Sequence, residues 1–120
     1  MKVVFKTMVH SSSNIELTAQ VLKLLGDKTR LTILKILDEG SCCVSEFVEI
    51  LEISQPAISQ HLRKLKDVGL VEEERKGQWI SYSINREVEQ YRLVQQILLE
   101  LPSQKEKLEY LIKQGKRIVL

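Results

Sequence analysis

The stretch from Ser54 to Val68 limits the fold of this chain more than any other. Ile58, Leu62, Leu65 and Val68 recur at steps of four, three and three, so a helical turn of about 100° per residue gathers them on one face. Ser59, Gln60 and Arg63 fall on the opposite side. Ser54 can cap the first turn, Pro56 is tolerated within it, and Gly69 supplies a left-handed stop. Just upstream, Val44 to Leu51 reads as a short helix only two or three residues away, the arrangement of a helix-turn-helix. Downstream, Leu70 to Arg75, a Lys76-Gly77-Gln78 turn and the alternating run Trp79 to Ile84 (WISYSI) predict a two-stranded hairpin. No other strand pattern occurs in the sequence.

Around this centre the spacing is helical. Ile15 to Leu25 carries two apolar stripes, Ile15, Ala19, Leu22 and Leu25 on one and Leu17, Val21 and Leu24 on the other, which asks for two packing partners. Gly26 and Asp27 stop it and cap the next helix, Thr29 to Leu37, which is apolar almost all round and so belongs at the centre of the core. Gly40 closes that helix, and Ser41-Cys42-Cys43 reads as a short connection. Arg86 to Leu101 presents Tyr91, Val94, Leu98 and Leu101 on one face, Pro102 breaks it, and Ser103 to Gln114 forms the last helix before Gly115.

The expected architecture is therefore mainly α, with about six helices and a two-stranded β wing. Residues 1–13, ending in Ser11-Ser12-Ser13, read as a flexible arm followed by a cap at Asn14, 14–102 as the principal domain, and 103–120 as its terminal helix and tail. With 120 residues and 43% apolar content the chain fits one domain and one core. No run suits a signal peptide or a membrane span, so the expected setting is cytoplasmic, away from membranes.

A helix that exposes serine, glutamine and arginine opposite its apolar stripe has the groups needed to read base edges in a major groove. Arginine bridges two guanine acceptors, and glutamine does the same for adenine. Ser54, Gln55, Pro56, Ser59, Gln60, Arg63 and Lys64 are the candidate DNA-binding residues of this helix, the hydroxyls, first-turn amides and Lys64 suiting phosphate. The hairpin tip adds Arg75, Lys76 and Gln78. Taken singly, each is as readily a solvated surface residue; their order along the chain is what favours double-stranded DNA. The net charge of only +2 means that attraction to a polyanion must come from placement. Glu72, Glu73 and Glu74 would repel DNA and so should lie at the wing base or face away from phosphate.

The run from Leu25 to Ile84, with LGDKTRLTILKIL, SQPAISQHLRKLKDVGLV and WISYSI, resembles the ArsR/SmtB family of bacterial and archaeal winged-helix repressors. The resemblance implies a homodimer paired through the helices 15–25 and 86–101, bound to a near-palindromic operator and released by an inducer. The apolar surplus on those two helices supports self-association independently. Half-sites would then lie about 34 Å apart.

Many members hold metal with a Cys-x-Cys pair at the start of the third helix, or with Asp and His on the fifth. Here Cys43 and Ser45 align with the first pair, Cys42 stands just ahead, and Arg86 to Leu101 has no histidine. Cys42 and Cys43 could still hold a soft ion such as As(III), Sb(III) or Cd(II), act as a redox switch, or serve only as small apolar residues. His61 lies near the apolar stripe, which favours a packed, hydrogen-bonded role over phosphate contact or metal ligation; His10 reads as solvated.

No Gly-rich phosphate loop and no nucleophile-base-acid set occurs, so the expectation is not an enzyme. The readings that compete with an inducer-responsive repressor are a redox-sensing repressor and a winged-helix module that binds protein instead of DNA.

Overall fold

The computed structural model describes residues 15–120. The expected arm over residues 1–13, the cap at Asn14 and His10 lie outside the described residues. The helix over residues 15–25 (α1) leads through Gly26 into α2 (Lys28–Glu39), whose first turn is closed by Asp27 accepting from the Arg30 amide at 3.0 Å. As its composition requires, α2 is central: Ile33, Leu34, Ile36 and Leu37 are all buried. Even Lys35 is drawn in, its ammonium donating to the Leu98 carbonyl at 3.0 Å.

Two helices follow at the expected places, α3 (Val44–Leu51) and α4 (Gln55–Asp67). Glu52 takes a left-handed φ of 54° to make the turn between them, and the Ser54 hydroxyl caps α4 by accepting from the Ala57 amide. Ile58, Leu62 and Leu65 are fully buried, which fixes the face that α4 turns to solvent. Gly69 at φ 81° ends the helix, with the Leu70 amide returned to the Leu65 carbonyl.

The wing consists of β2 (Val71–Lys76) and β3 (Trp79–Ile84), joined through Gly77 at φ 63°, the conformation a tight two-residue hairpin needs at its first central position. The sheet has three strands where the sequence predicts two. Cys42–Cys43, expected as a connection, forms β1 and pairs antiparallel with β3, Cys42 opposite Tyr82 and Cys43 opposite Ser81, giving the order β1-β3-β2. Two residues are too few to show an alternating pattern, so only the partner strand reveals them.

The next helix is shorter than its apolar pattern. It was expected over Arg86 to Leu101, yet α5 spans Tyr91–Leu99. Asn85 explains the late start: its side chain accepts from the Glu87 amide, a local turn that competes with helix, and Arg86 is diverted to Asp38. After Pro102, α6 (Lys105–Lys113) completes the fold by packing on α2 and α3. Among the described residues no helix is long and apolar enough to cross a membrane.

Candidate nucleic-acid interface

Burying the Ile58-Leu62-Leu65 stripe forces the other side of α4 outward. Gln55, Pro56, Gln60, Arg63 and Lys64 are exposed there, with Ser54 at the cap and Ser59 half-buried. Within the described residues the side chains of Gln60, Arg63 and Lys64 make no hydrogen bond or ion pair, which leaves their donors available. Gln55 is committed in part, since its amide donates to the Ser59 hydroxyl at 3.1 Å.

The wing tip carries Arg75, Lys76 and Gln78 in the open. Lys76 lies 3.2 Å from Glu74, an exposed pair that water and salt weaken. Of the acidic run, Glu74 takes part in that exposed pair, Glu72 is exposed, and Glu73 is the one turned toward the protein. Glu73 points back to α4, where the Lys66 ammonium sits 2.6 Å away; that contact first, then Tyr82 beside it, holds the carboxyl below the usual carboxylate range. Tyr82 in turn is pushed up to about 12, by burial and then by Glu73.

Between α4 and the wing lies a cleft of about 330 Å³ lined by Ser59, Arg63, Lys66, Asp67, Glu73 and Tyr82. Lys66 and Tyr82 were not among the residues singled out from sequence, because nothing in their spacing links position 66 to position 82; they meet through Glu73, which Lys66 contacts from α4 and which the hairpin register sets opposite Tyr82.

His61 is half-buried on the flank of α4. Arg30 contacts its Nδ1 at 3.2 Å and also donates to the Leu24 carbonyl at 2.7 Å, so the ring joins α4 to α2. Burial, with the Arg30 and Lys64 charges assisting against Asp27, holds its pKa below the ordinary value.

Cys42 and Cys43 are both buried free thiols. Neighbours along a strand project to opposite faces. Cys42 joins the apolar core, near Arg117 and the Gly40 carbonyl, while Cys43 caps α3, its amide donating to Glu46 at 2.8 Å. Burial, reinforced by Glu46, pushes Cys42 up to about 12 and raises Cys43 as well. Among the described residues no group of three His, Cys, Asp or Glu side chains is placed to hold a metal ion.

The model of the bacterial regulatory proteins of the arsR family matches residues 27–73, which spans α2 to the first half of β2. The chain is 46% identical over 72 residues to the arsenic resistance transcriptional regulator ArsR1 of Pseudomonas putida, a match covering 59% of this chain and 56% of that protein. Over 70 residues it is 46% identical to an HTH-type transcriptional regulator of Methanocaldococcus jannaschii, covering 58% of this chain and 79% of the relative. Thus the chain spans little more than half the length of the Pseudomonas protein. In three dimensions it is similar to the homodimeric winged helix-turn-helix DNA-binding domain of a possible ArsR-family regulator from Mycobacterium bovis, with a TM-score of 0.65 and 29% identity over 74% of this chain and 82% of the other.

Proposed function

Since the chain belongs to the arsR family of bacterial regulatory proteins, we propose that it is a DNA-binding transcriptional repressor that reads a duplex with α4 and grips its backbone with the wing. One observation carries the reading: burial of Ile58, Leu62 and Leu65 leaves Gln60, Arg63 and Lys64 exposed and uncommitted on one helix face, beside a hairpin tipped with Arg75, Lys76 and Gln78. Gln60 and Arg63 supply paired donors and acceptors for base edges, and Lys64, Ser54 and the first-turn amides of α4 suit phosphate.

The working unit is a homodimer in the cytoplasm. Ile15 and Leu22 on α1, with Leu93 and Leu99 on α5, are 36% to 72% exposed, more apolar surface than two helices of a small monomer carry without a partner. A two-fold dimer pairs with a near-palindromic operator whose half-sites lie about 34 Å apart.

Release by As(III), Sb(III) or Cd(II) at Cys42 and Cys43 belongs to the proposal in a form that opens β1, because both thiols are buried as the strand is folded. Relatives named for arsenic resistance favour this inducer class over simple oxidation.

The test is to titrate the purified protein onto duplex DNA from its own upstream region, and onto random DNA, at rising salt. Each arm is repeated with As(III), Sb(III), Cd(II), Zn(II) or an oxidant. The expected result is a preference for the upstream duplex and a log-linear loss of affinity with salt. Absence of any salt-dependent shift would overturn DNA binding in favour of a protein-interaction module. If replacing both cysteines by serine leaves ion-induced release unchanged, the thiols are not the sensor.

A further inference from the structure

The wing is a cantilever. After α4 the chain turns through Gly69 and Leu70, and the hairpin then runs out to a tip at Gly77, five to six residues beyond Val71. The pairing with β1 reaches Ser81, opposite Glu74, so at roughly 3.4 Å per residue about 10 Å of hairpin stands free beyond it, and a swing of about 20° displaces the tip by about 3 Å, a full hydrogen-bond length. Backbone bonds at the root, Leu70 to Leu65 and Asn85 to Leu70, together with the pairing of β1 on Ser81 and Tyr82, hold the β3 side of the hairpin but leave β2, the free edge of the sheet, with little leverage on its angle to α4.

One side-chain contact supplies that leverage. Lys66, on the last turn of α4, reaches Glu73 in the middle of β2 at 2.6 Å, and Tyr82 stands directly opposite Glu73 in the β2–β3 register. We infer that Lys66, Glu73 and Tyr82 form a clasp that sets the angle of the wing to α4, so that Arg75 and Lys76 meet the DNA backbone while Gln60 and Arg63 occupy the groove. The three are positioning residues, and the inference rests on the DNA-binding reading above. It also explains why an acidic residue stands among the cations of a DNA-facing hairpin. Glu73 orients the wing, and its charge is answered within the protein.

Two mechanisms give opposite signs for Glu73→Ala. If Glu73 acts only by its charge, removing it relieves repulsion and tightens binding. If it holds the clasp, removing it frees the wing and weakens binding. The experiment measures upstream-duplex affinity and thermal midpoint for the full chain, for Glu73→Ala, for the swap Lys66→Glu/Glu73→Lys, and for Glu73→Ala in an Arg75→Ala/Lys76→Ala background. The expected results are a loss of about three- to tenfold for Glu73→Ala, with a midpoint close to the parent because an exposed pair adds little stability. Recovery is expected in the swap, and no further loss in the tipless background. Tighter or unchanged binding by Glu73→Ala overturns the clasp, as does a loss of equal size in the tipless background. A parent chain that fails to bind duplex DNA overturns the DNA-binding reading itself and the clasp with it.

Discussion

Arg117 closes on Glu46 across 71 residues of sequence, its guanidinium 2.6 Å from a carboxylate only 1% exposed. The same carboxylate accepts from the amides of Cys43 at 2.8 Å and Ile118 at 3.0 Å. A buried charge is tolerated when it is paired and its lone pairs are filled, and here both conditions are met. The contact ties the end of the chain to the start of α3, the first helix of the helix-turn-helix, and Lys116 repeats it one residue earlier with Glu49 at 2.8 Å.

Replacing Arg117 with methionine keeps the aliphatic stem and strands the Glu46 charge. The expected loss is about 3 kcal/mol, at the lower end for a broken buried pair because two amide donors remain. Urea unfolding at neutral pH measures it, and the double variant Glu46→Gln/Arg117→Met is expected to recover part of the loss. A change under about 1 kcal/mol would mean that the carboxylate is not the buried charge described.

The thiols give a second expectation. Thiolate is the reactive form, and burial pushes Cys42 up to about 12 and raises Cys43. A disulfide reagent at pH 7 should therefore modify the native protein at least about 100-fold more slowly than the urea-unfolded chain. Rapid titration of two thiols in the native state contradicts the burial of β1.

His61 makes stability depend on pH in a defined window. Its folded pKa lies below the ordinary 6.5, so the unfolded chain takes up the proton first. The folded state binds fewer protons, and stability therefore rises with pH through this range and falls as pH drops below about 6.5. Comparing urea midpoints at pH 7.5 and 5.5 for the parent and for His61→Gln tests this, above the range where carboxylates such as Asp27 and Glu73 titrate. The variant should show the flatter profile; equal slopes would place the titrating group elsewhere.

Much of this architecture is legible in the residues, and the exceptions share a cause. The outward face of α4 follows from the Ile58-Leu62-Leu65 stripe, and the wing from WISYSI with Gly77 before it, because both depend on local periodicity. The β1 strand, the late start of α5 at Tyr91 and the pairs Lys66–Glu73 and Glu46–Arg117 depend on partners distant in sequence or on side-chain competition for backbone groups. Periodicity carries no information about either. The tail shows this most clearly: nothing near Lys116 and Arg117 in the sequence names a partner, and both are spent on buried or half-buried glutamates of α3.

Arg63 tests the central geometry. It stands on the outer face of α4 three residues after Gln60, so the two project within about 60° of each other, and it also lines the cleft toward the wing. Either position puts its guanidinium against a duplex, but the two differ in what they recognise. If Arg63 holds a base edge, Arg63→Ala loses about 1 to 3 kcal/mol on the upstream duplex, much less on random DNA, and relaxes the preference at one base pair. If instead it faces the cleft and holds phosphate, the loss is equal on both DNAs and the salt slope falls by about one. Lys64→Ala, which removes a point charge and no planar fork of donors, should give the second pattern. Measuring both variants on both duplexes separates the roles, and Arg63 behaving like Lys64 would move base reading to Gln60 and the first turn of α4.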